Sequence, residues 1–248
     1  MDLGLKGKVI WISGAGSGIG RATARLFARE GSNLILLGRR DQALAETREL
    51  VIKENPSSEV LIVPIDLTDT KKVAAHFESV GPIDVAINNA AYEGRRRAQS
   101  REASLDEFDE IFNLNVRSLF QCQSLQINNM REHGVKGAIV NISSISAFKA
   151  IPTSSIYCAS KAAVVALSRV AALEEISGGI RINVVAPGGT ETDMLQRIYP
   201  DLSKIAAVQP TKRLSAADEI AEGILWIASP KASHVMGQQL VIDGGATL

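Results

Sequence analysis

Seven short runs of Val, Ile and Leu recur along the chain, most of them followed by a longer stretch with helical periodicity. The runs are "KVIWIS" (8–13), "NLILL" (33–37), "EVLIVPI" (59–65), "DVAIN" (84–88), "GAIVNIS" (137–143), "IRINVVA" (180–186) and "QQLVID" (238–243). Half-solvated strands alternate apolar and polar residues. These runs are nearly continuous, as strands covered on both faces are. The stretches between them, about 18–30, 41–54, 70–79, 105–132, 155–177 and 216–228, read as amphipathic helices. Such alternation predicts right-handed crossovers and a mostly parallel, seven-stranded, doubly wound sheet with helices on both faces. The fold class is α/β, with one domain over residues 1–248. Ligands of such sheets gather at the carboxyl ends of the strands.

Composition narrows the function. The 27 basic and 27 acidic side chains cancel, which argues against a nucleic-acid partner. Cys122 and Cys158 have no metal-ligand spacing and imply no disulfide scaffold. His76, His133 and His234 are scattered and form no metal set. "MDLGLKGKVIWISG" lacks the apolar core of a signal peptide, and no uninterrupted apolar run reaches the ~20 residues of a membrane span. The expectation is a cytoplasmic protein with neither a membrane nor a metal among its partners.

Two segments carry chemistry. In "VIWISGAGSGIGRATARLFARE", Gly14, Gly18 and Gly20 lie between the first strand and the first helix. Glycine permits a tight turn and close backbone approach, and a helix N-terminus offers free N–H groups to a pyrophosphate. In "SSIYCASKAAVVALSRV", Tyr157 and Lys161 are four apart and share a helix face. A phenol titrates near ~10, and a neighbouring ammonium would lower that toward a useful range. Ser143 and Ser144 end the fifth strand, where ligands are expected.

Together these residues resemble the classical short-chain dehydrogenase/reductase family, across essentially the whole chain, and so imply a Rossmann-type fold. "SGAGSGIG" is similar to its cofactor loop, "NNAA" (88–91) to its Asn-Asn-Ala-Gly element, and "APGGTET" (186–192) to its Pro-Gly element. Asn115 in "LNV", Ser144 and "YCASK" match its Asn–Ser–Tyr–Lys tetrad. The resemblance implies that Tyr157 is the general acid in reduction or the base in oxidation. Ser144 would orient the carbonyl, and Lys161 would lower the Tyr157 pKa and bind the nicotinamide ribose. Asn115 would hold a water of the proton relay. Gly14, Ser17, Gly18, Ile19 and Gly20 would form the phosphate turn. Asn89, Ala90, Ala91, Pro187, Gly188, Thr190 and Thr192 would line the nicotinamide half. Asp66 with Leu67 would meet the adenine, although Asp66 reads equally as a helix cap before 69–79. Ser13 replaces the usual threonine and keeps its hydroxyl. Ala91 replaces a glycine, and Gly189 replaces bulkier residues, which predicts an open wall there.

The cofactor can be read further. NAD binders place a carboxylate about 20 residues beyond the loop to bond the ribose 2′-OH. Here that position is Gly38, followed by Arg39 and Arg40. Guanidiniums bind phosphate, so NADP is expected rather than NAD, with Arg39 the principal contact. Ser17 is the one dissenting feature, standing where some NADP members carry a basic residue. Asp41, three past the expected place, reads as a cap of the next helix, with a 2′-OH partner as the alternative.

The segment 190–215 is the family's usual lid, and its Met194, Leu195, Ile198 and Tyr199 predict a largely apolar pocket. The basic loop 93–102, with Arg95, Arg96 and Arg97, reads as solvated, with contact to an acidic group as the alternative. Tyr92 stays open between lid packing and substrate contact, and Cys158 reads as a packing residue. The expected activity is NADP(H)-dependent interconversion of a small carbonyl and its alcohol. The alternatives are reduction of 3-oxoacyl groups on acyl carrier protein and a non-catalytic NADP-binding redox sensor. The family often forms homotetramers through the 105–132 and 155–177 helices, so a homotetramer or homodimer is expected.

Overall fold

A computed structural model describes residues 2–95 and 98–248. Its strands are β1 (Val9–Ser13), β2 (Asn33–Gly38), β3 (Val60–Pro64), β4 (Val85–Asn88), β5 (Ala138–Ile142), β6 (Arg181–Pro187) and β7 (Gln239–Ile242). They form one sheet in the order β3-β2-β1-β4-β5-β6-β7. Every strand pair is parallel, so the sheet is wholly rather than mostly parallel. β4, β5 and β6 are buried throughout, and exposed positions fall on the edge strands, as at Leu61 of β3 and Val241 of β7.

The helices are α1 (Gly18–Arg29), α2 (Asp41–Glu54), α3 (Thr70–Ser79), α4 (Leu105–Phe112), α5 (Leu119–Glu132), α6 (Ser155–Glu175), α7 (Asp193–Ile198), α8 (Leu202–Val208) and α9 (Ala217–Ala228). On one face, Leu26 and Phe27 of α1, Leu44 and Val51 of α2, and Ile220 and Ile224 of α9 pack on Ile10, Ile12, Leu34 and Leu36. On the other, Val73 of α3, Cys122 and Met130 of α5, and Ala171 and Ala172 of α6 pack on Trp11, Ile35, Ile139 and Ile182. Each fully buried aliphatic side chain contributes roughly 1.5–3 kcal/mol, so these two clusters hold the layers together.

Three features position the site. Strand order reverses between β1 and β4, which opens a crevice at their carboxyl ends. A buried amide network ties β4, β5, α5 and α6: Asn88 Nδ2 donates to Asn141 Oδ1 (2.8 Å), and Asn141 Nδ2 donates to Gln123 (2.6 Å) and Ser168 (2.8 Å). The expected 105–132 helix is interrupted by a π segment at Asn113–Ser118, a form common at functional sites. Contrary to the reading from uninterrupted runs, the helix Ser155–Gly178 is long and apolar enough to cross a membrane. Here it lies against the sheet and buries Lys161, Val164 and Ala172. Asp41 is the first residue of α2 rather than its cap, a position Arg40 takes. Asp69, not Asp66, caps α3 by accepting from Lys72 N.

Candidate active site

The glycine turn closes onto the end of β4. Gly14 has φ +64°, and a Cβ there would sit 2.8 Å from Asn89 Nδ2 and 2.9 Å from Ala90 Cα. A Cβ on Gly20 would lie 2.2 Å from the Gly14 carbonyl oxygen, so α1 abuts its own turn. Asn89 Nδ2 donates to the Ser13 and Gly14 carbonyls at 3.1 and 3.2 Å. Ser13 Oγ accepts from Asn89 N (3.0 Å) and Ala90 N (3.1 Å), which is the work its retained hydroxyl does. Ala91 is not in the left-handed region, so its methyl is tolerated without strain. Ser17 precedes α1 in extended backbone, and its side chain makes no cap bond. Arg21, which the sequence reading passed over, donates to the Gly16 carbonyl (2.6 Å) and ties the turn to α2 through Thr47 and Glu46.

A groove of about 590 Å³ leads outward from this turn. Gly14, Ser17, Gly18, Ile19, Arg39, Arg40, Asp66, Leu67, Asn89, Ala90, Ala91 and Thr192 all line it. Gly20 does not, because it lies beneath the turn. Gly38 lines it too, at the position expected beside the ribose, and Gly16, Leu114, Asp193 and Arg197 line it without having been anticipated. Both arginines after β2 are exposed. Asp66 Oδ1 accepts from Thr68 N and Oγ1, which fixes the carboxylate at the groove edge.

A second cavity, about 250 Å³, adjoins the groove and shares Ile19, Asn89, Ala91, Thr192 and Met194 with it. Ser144, Tyr157, Lys161, Pro187, Gly188 and Thr190 line this cavity, together with Met194, Leu195, Ile198 and Tyr199 from the lid. The lid is helical at α7 and α8, and the Thr192 side chain caps α7. The wall at Gly189 is not open: a Cβ there would meet Leu214 at 3.0 Å and Gln209 at 3.6 Å.

Ser144 Oγ accepts from Ser146 N and donates to Ser146 Oγ, both at 3.1 Å, and lines the same cavity as Tyr157. Ser143 instead donates to the Lys161 carbonyl, which is a structural role. Lys161 is 2% exposed, and its Nζ donates to the Ile142 carbonyl at 2.9 Å, 5.7 Å from the Tyr157 ring centre. Burial lowers Lys161 to about 8. Tyr157 is half-buried as a residue, but desolvation pushes its phenol above the ordinary value. The Glu93 charge adds to that rise, and the Ser144 side chain opposes it. The expected lowering of Tyr157 by Lys161 is therefore not seen: desolvation sets the direction of the phenol's shift, and burial moves the amine itself toward neutrality. Asn115 is 1% exposed and lines neither cavity. Its amide accepts from Tyr92 N and donates to the Tyr92 carbonyl, both at 2.8 Å, and donates to Ser160 Oγ at 3.0 Å. Its side chain thus braces the β4 loop against α6. Tyr92 serves through its backbone.

Arg95 pairs with Glu110 and lines neither cavity. Arg96 and Arg97 lie outside the described residues.

Comparison with known proteins places this geometry. A family model described as enoyl-(acyl carrier protein) reductase matches residues 14–247. The levodione reductase of Leifsonia aquatica is 36% identical over 251 residues, covering 96% of this chain and 93% of that reductase. A 2,5-dichloro-2,5-cyclohexadiene-1,4-diol dehydrogenase of Sphingobium indicum is 35% identical over 98% of both chains. The solved structure of L-sorbose reductase from Gluconobacter frateurii, complexed with NADPH and L-sorbose, superposes with a TM-score of 0.91 at 30% identity, covering 99% of this chain and 98% of that one.

Proposed function

The chain belongs to the short-chain dehydrogenase/reductase family, and on that premise we propose that it is an NADP(H)-dependent carbonyl reductase with Tyr157 as its proton donor. The observation that carries this reading is the junction of two cavities. One holds Ser144, Tyr157 and Lys161, and the other ends in Arg39 and Arg40 with no carboxylate at position 38. The residues fit a dinucleotide. The glycines let the turn pack tightly against Asn89, Ala90 and Thr192 while Gly14, Gly16 and Gly18 present backbone rather than side chains to the groove, and the first turn of α1 holds no acidic side chain to repel a pyrophosphate. Arg39, with Arg40 beside it, would hold the 2′-phosphate, and Asp66 and Leu67 would meet the adenine.

When bound, NADPH supplies the hydride. Ser144 and Tyr157 bond the substrate carbonyl oxygen and orient it, and the lid side chains keep water from the reacting carbon. Tyr157 gives its proton to that oxygen. Its raised proton affinity makes it an acid that stays loaded at neutral pH, and Lys161, lowered to about 8, can return a proton to the phenolate downhill. The exposed apolar side chains Leu105, Phe108 and Phe120 of α4–α5 and Val170 and Leu173 of α6 support a homotetramer or homodimer.

The test is consumption of NADPH and NADH against a panel of neutral ketones, with a 3-oxoacyl group on acyl carrier protein as a separate arm. Turnover of free ketones with NADPH preferred supports the proposal. Turnover of the carrier-bound substrate alone would replace it with the acyl-carrier reading. Nucleotide binding without turnover in either arm would favour the redox-sensor reading.

A further inference from the structure

The loop after β4 carries one ionisable side chain that the proposed chemistry does not use. Glu93 lines the substrate cavity, and its side chain is 5% exposed. Its partner Arg197, on α7 of the lid, lies 104 residues further along the chain. One guanidinium nitrogen, Nη2, donates to Oε1 at 3.0 Å and reaches Oε2 at 3.4 Å.

The two ends of this pair have different surroundings. Arg197 is 61% exposed and lines the nucleotide groove, outside the substrate cavity. Water and salt screen its charge far better than that of the enclosed carboxylate. Inside the cavity the negative end therefore dominates, and the Tyr157 phenol registers it. The Lys161 ammonium is committed to the Ile142 carbonyl. Among the described residues that line this cavity, Glu93 is the one carboxylate. A carboxylate offers about four acceptor sites, and a single Arg197 nitrogen leaves most of them open.

We infer that Glu93 is a specificity-determining residue: it rejects substrates with a negative group beside the reacting carbon and accepts those with a hydroxyl or ammonium there. The cost to an anion is electrostatic, because a like charge a few ångströms away in a poorly solvated cavity is repelled. The gain to a hydroxyl is a charge-assisted hydrogen bond. This assignment rests on the carbonyl-reductase reading and names the substrate class that the reading leaves open.

The experiment uses the full chain with saturating NADPH and the neutral ketone that the panel finds turned over fastest. Acetoacetate and methyl acetoacetate, which share a carbon skeleton, are measured as competitors, and the readout is the ratio of their inhibition constants, acid over ester. Changes in folding or in Tyr157 acidity affect both ligands and cancel in the ratio. Glu93→Gln is expected to lower the ratio at least about fivefold, the scale for a like charge about 4 Å away even when it is screened as in bulk water. Arg197→Gln removes the partner and leaves Glu93 uncompensated, so it is expected to raise the ratio about twofold or more. A smaller fall in the first variant, or an unchanged or lower ratio in the second, overturns the inference. If Glu93→Gln does not fold, the sign of the Arg197→Gln change decides. Failure to turn over any ketone with either nucleotide overturns the reductase reading itself, an outcome distinct from an unchanged ratio.

Discussion

Replacing Arg39 by Ala isolates the cofactor assignment. The side chain is exposed at the groove edge immediately after β2, and Arg40 follows it. A hydrogen bond to a charged group contributes about 1.5–3 kcal/mol where water is scarce. At an exposed position screening removes much of that, and Arg40 retains part of the positive field. The expected outcome is a rise of about tenfold in the KM for NADPH. The KM for NADH should change less than about twofold, since no phosphate is lost from that complex. The assay is initial-rate kinetics with both nucleotides at low and high salt, and the wild-type advantage for NADPH should shrink as salt rises. The reverse perturbation is Gly38→Asp. A Cβ at Gly38 would lie 3.4 Å from Leu44 Cδ2, an ordinary contact, so the carboxylate is accommodated. It would face a 2′-phosphate with like charge and a 2′-OH with an acceptor. The preference should then turn toward NADH. Equal effects of Arg39→Ala on the two nucleotides would refute the reasoning.

Other consequences follow from the packing. Gly20→Ala drives a methyl to within 2.2 Å of the Gly14 carbonyl. It should destabilise the fold by about 1–3 kcal/mol in urea melts and weaken nucleotide binding. Trp11 Nε1 donates to His76 Nε2 at 3.3 Å, and burial lowers the His76 pKa. The folded state therefore prefers the neutral ring, and that contribution is present above pH ~6.5 and lost as pH falls below it. His76→Phe should remove this part of the acid sensitivity, read from urea midpoints at pH 8 and pH 5.5. Phe120→Asp on the exposed face of α5 should shift the light-scattering mass toward a smaller assembly while leaving the circular dichroism spectrum unchanged.

The sheet was legible because its strands are short, apolar and buried on both faces. Each predicted run, "NLILL" for instance, falls within about one residue of the observed strand. The α2 and α3 boundaries agree with the reading for a related reason, since each begins beside a turn with Asp41 or Asp69. The π segment around Asn115 was not legible, because one wide turn barely disturbs the apolar pattern over 105–132. α7 and α8 have six and seven residues with none fully buried, too short to display a stripe. At the site, the glycine turn and the Tyr157–Lys161 pair are local in sequence and lie on the two cavities as expected, whereas Asn115 lines neither. The filled wall at Gly189 depends on Gln209 and Leu214, and the Glu93–Arg197 pair joins segments far apart in the chain. The direction of the Tyr157 shift depends on burial, which no motif records.

The central claim is that Tyr157 donates the proton that accompanies hydride transfer. Tyr157→Phe keeps the ring and removes only the hydroxyl, so it is measured for NADPH binding by fluorescence titration and for kcat with the fastest panel ketone. The account predicts binding near that of the wild type and a kcat lower by about 10²–10⁴-fold, the usual contribution of a general acid. A variant that binds NADPH and reduces the ketone within about tenfold of the wild type would fall below that range and contradict the account.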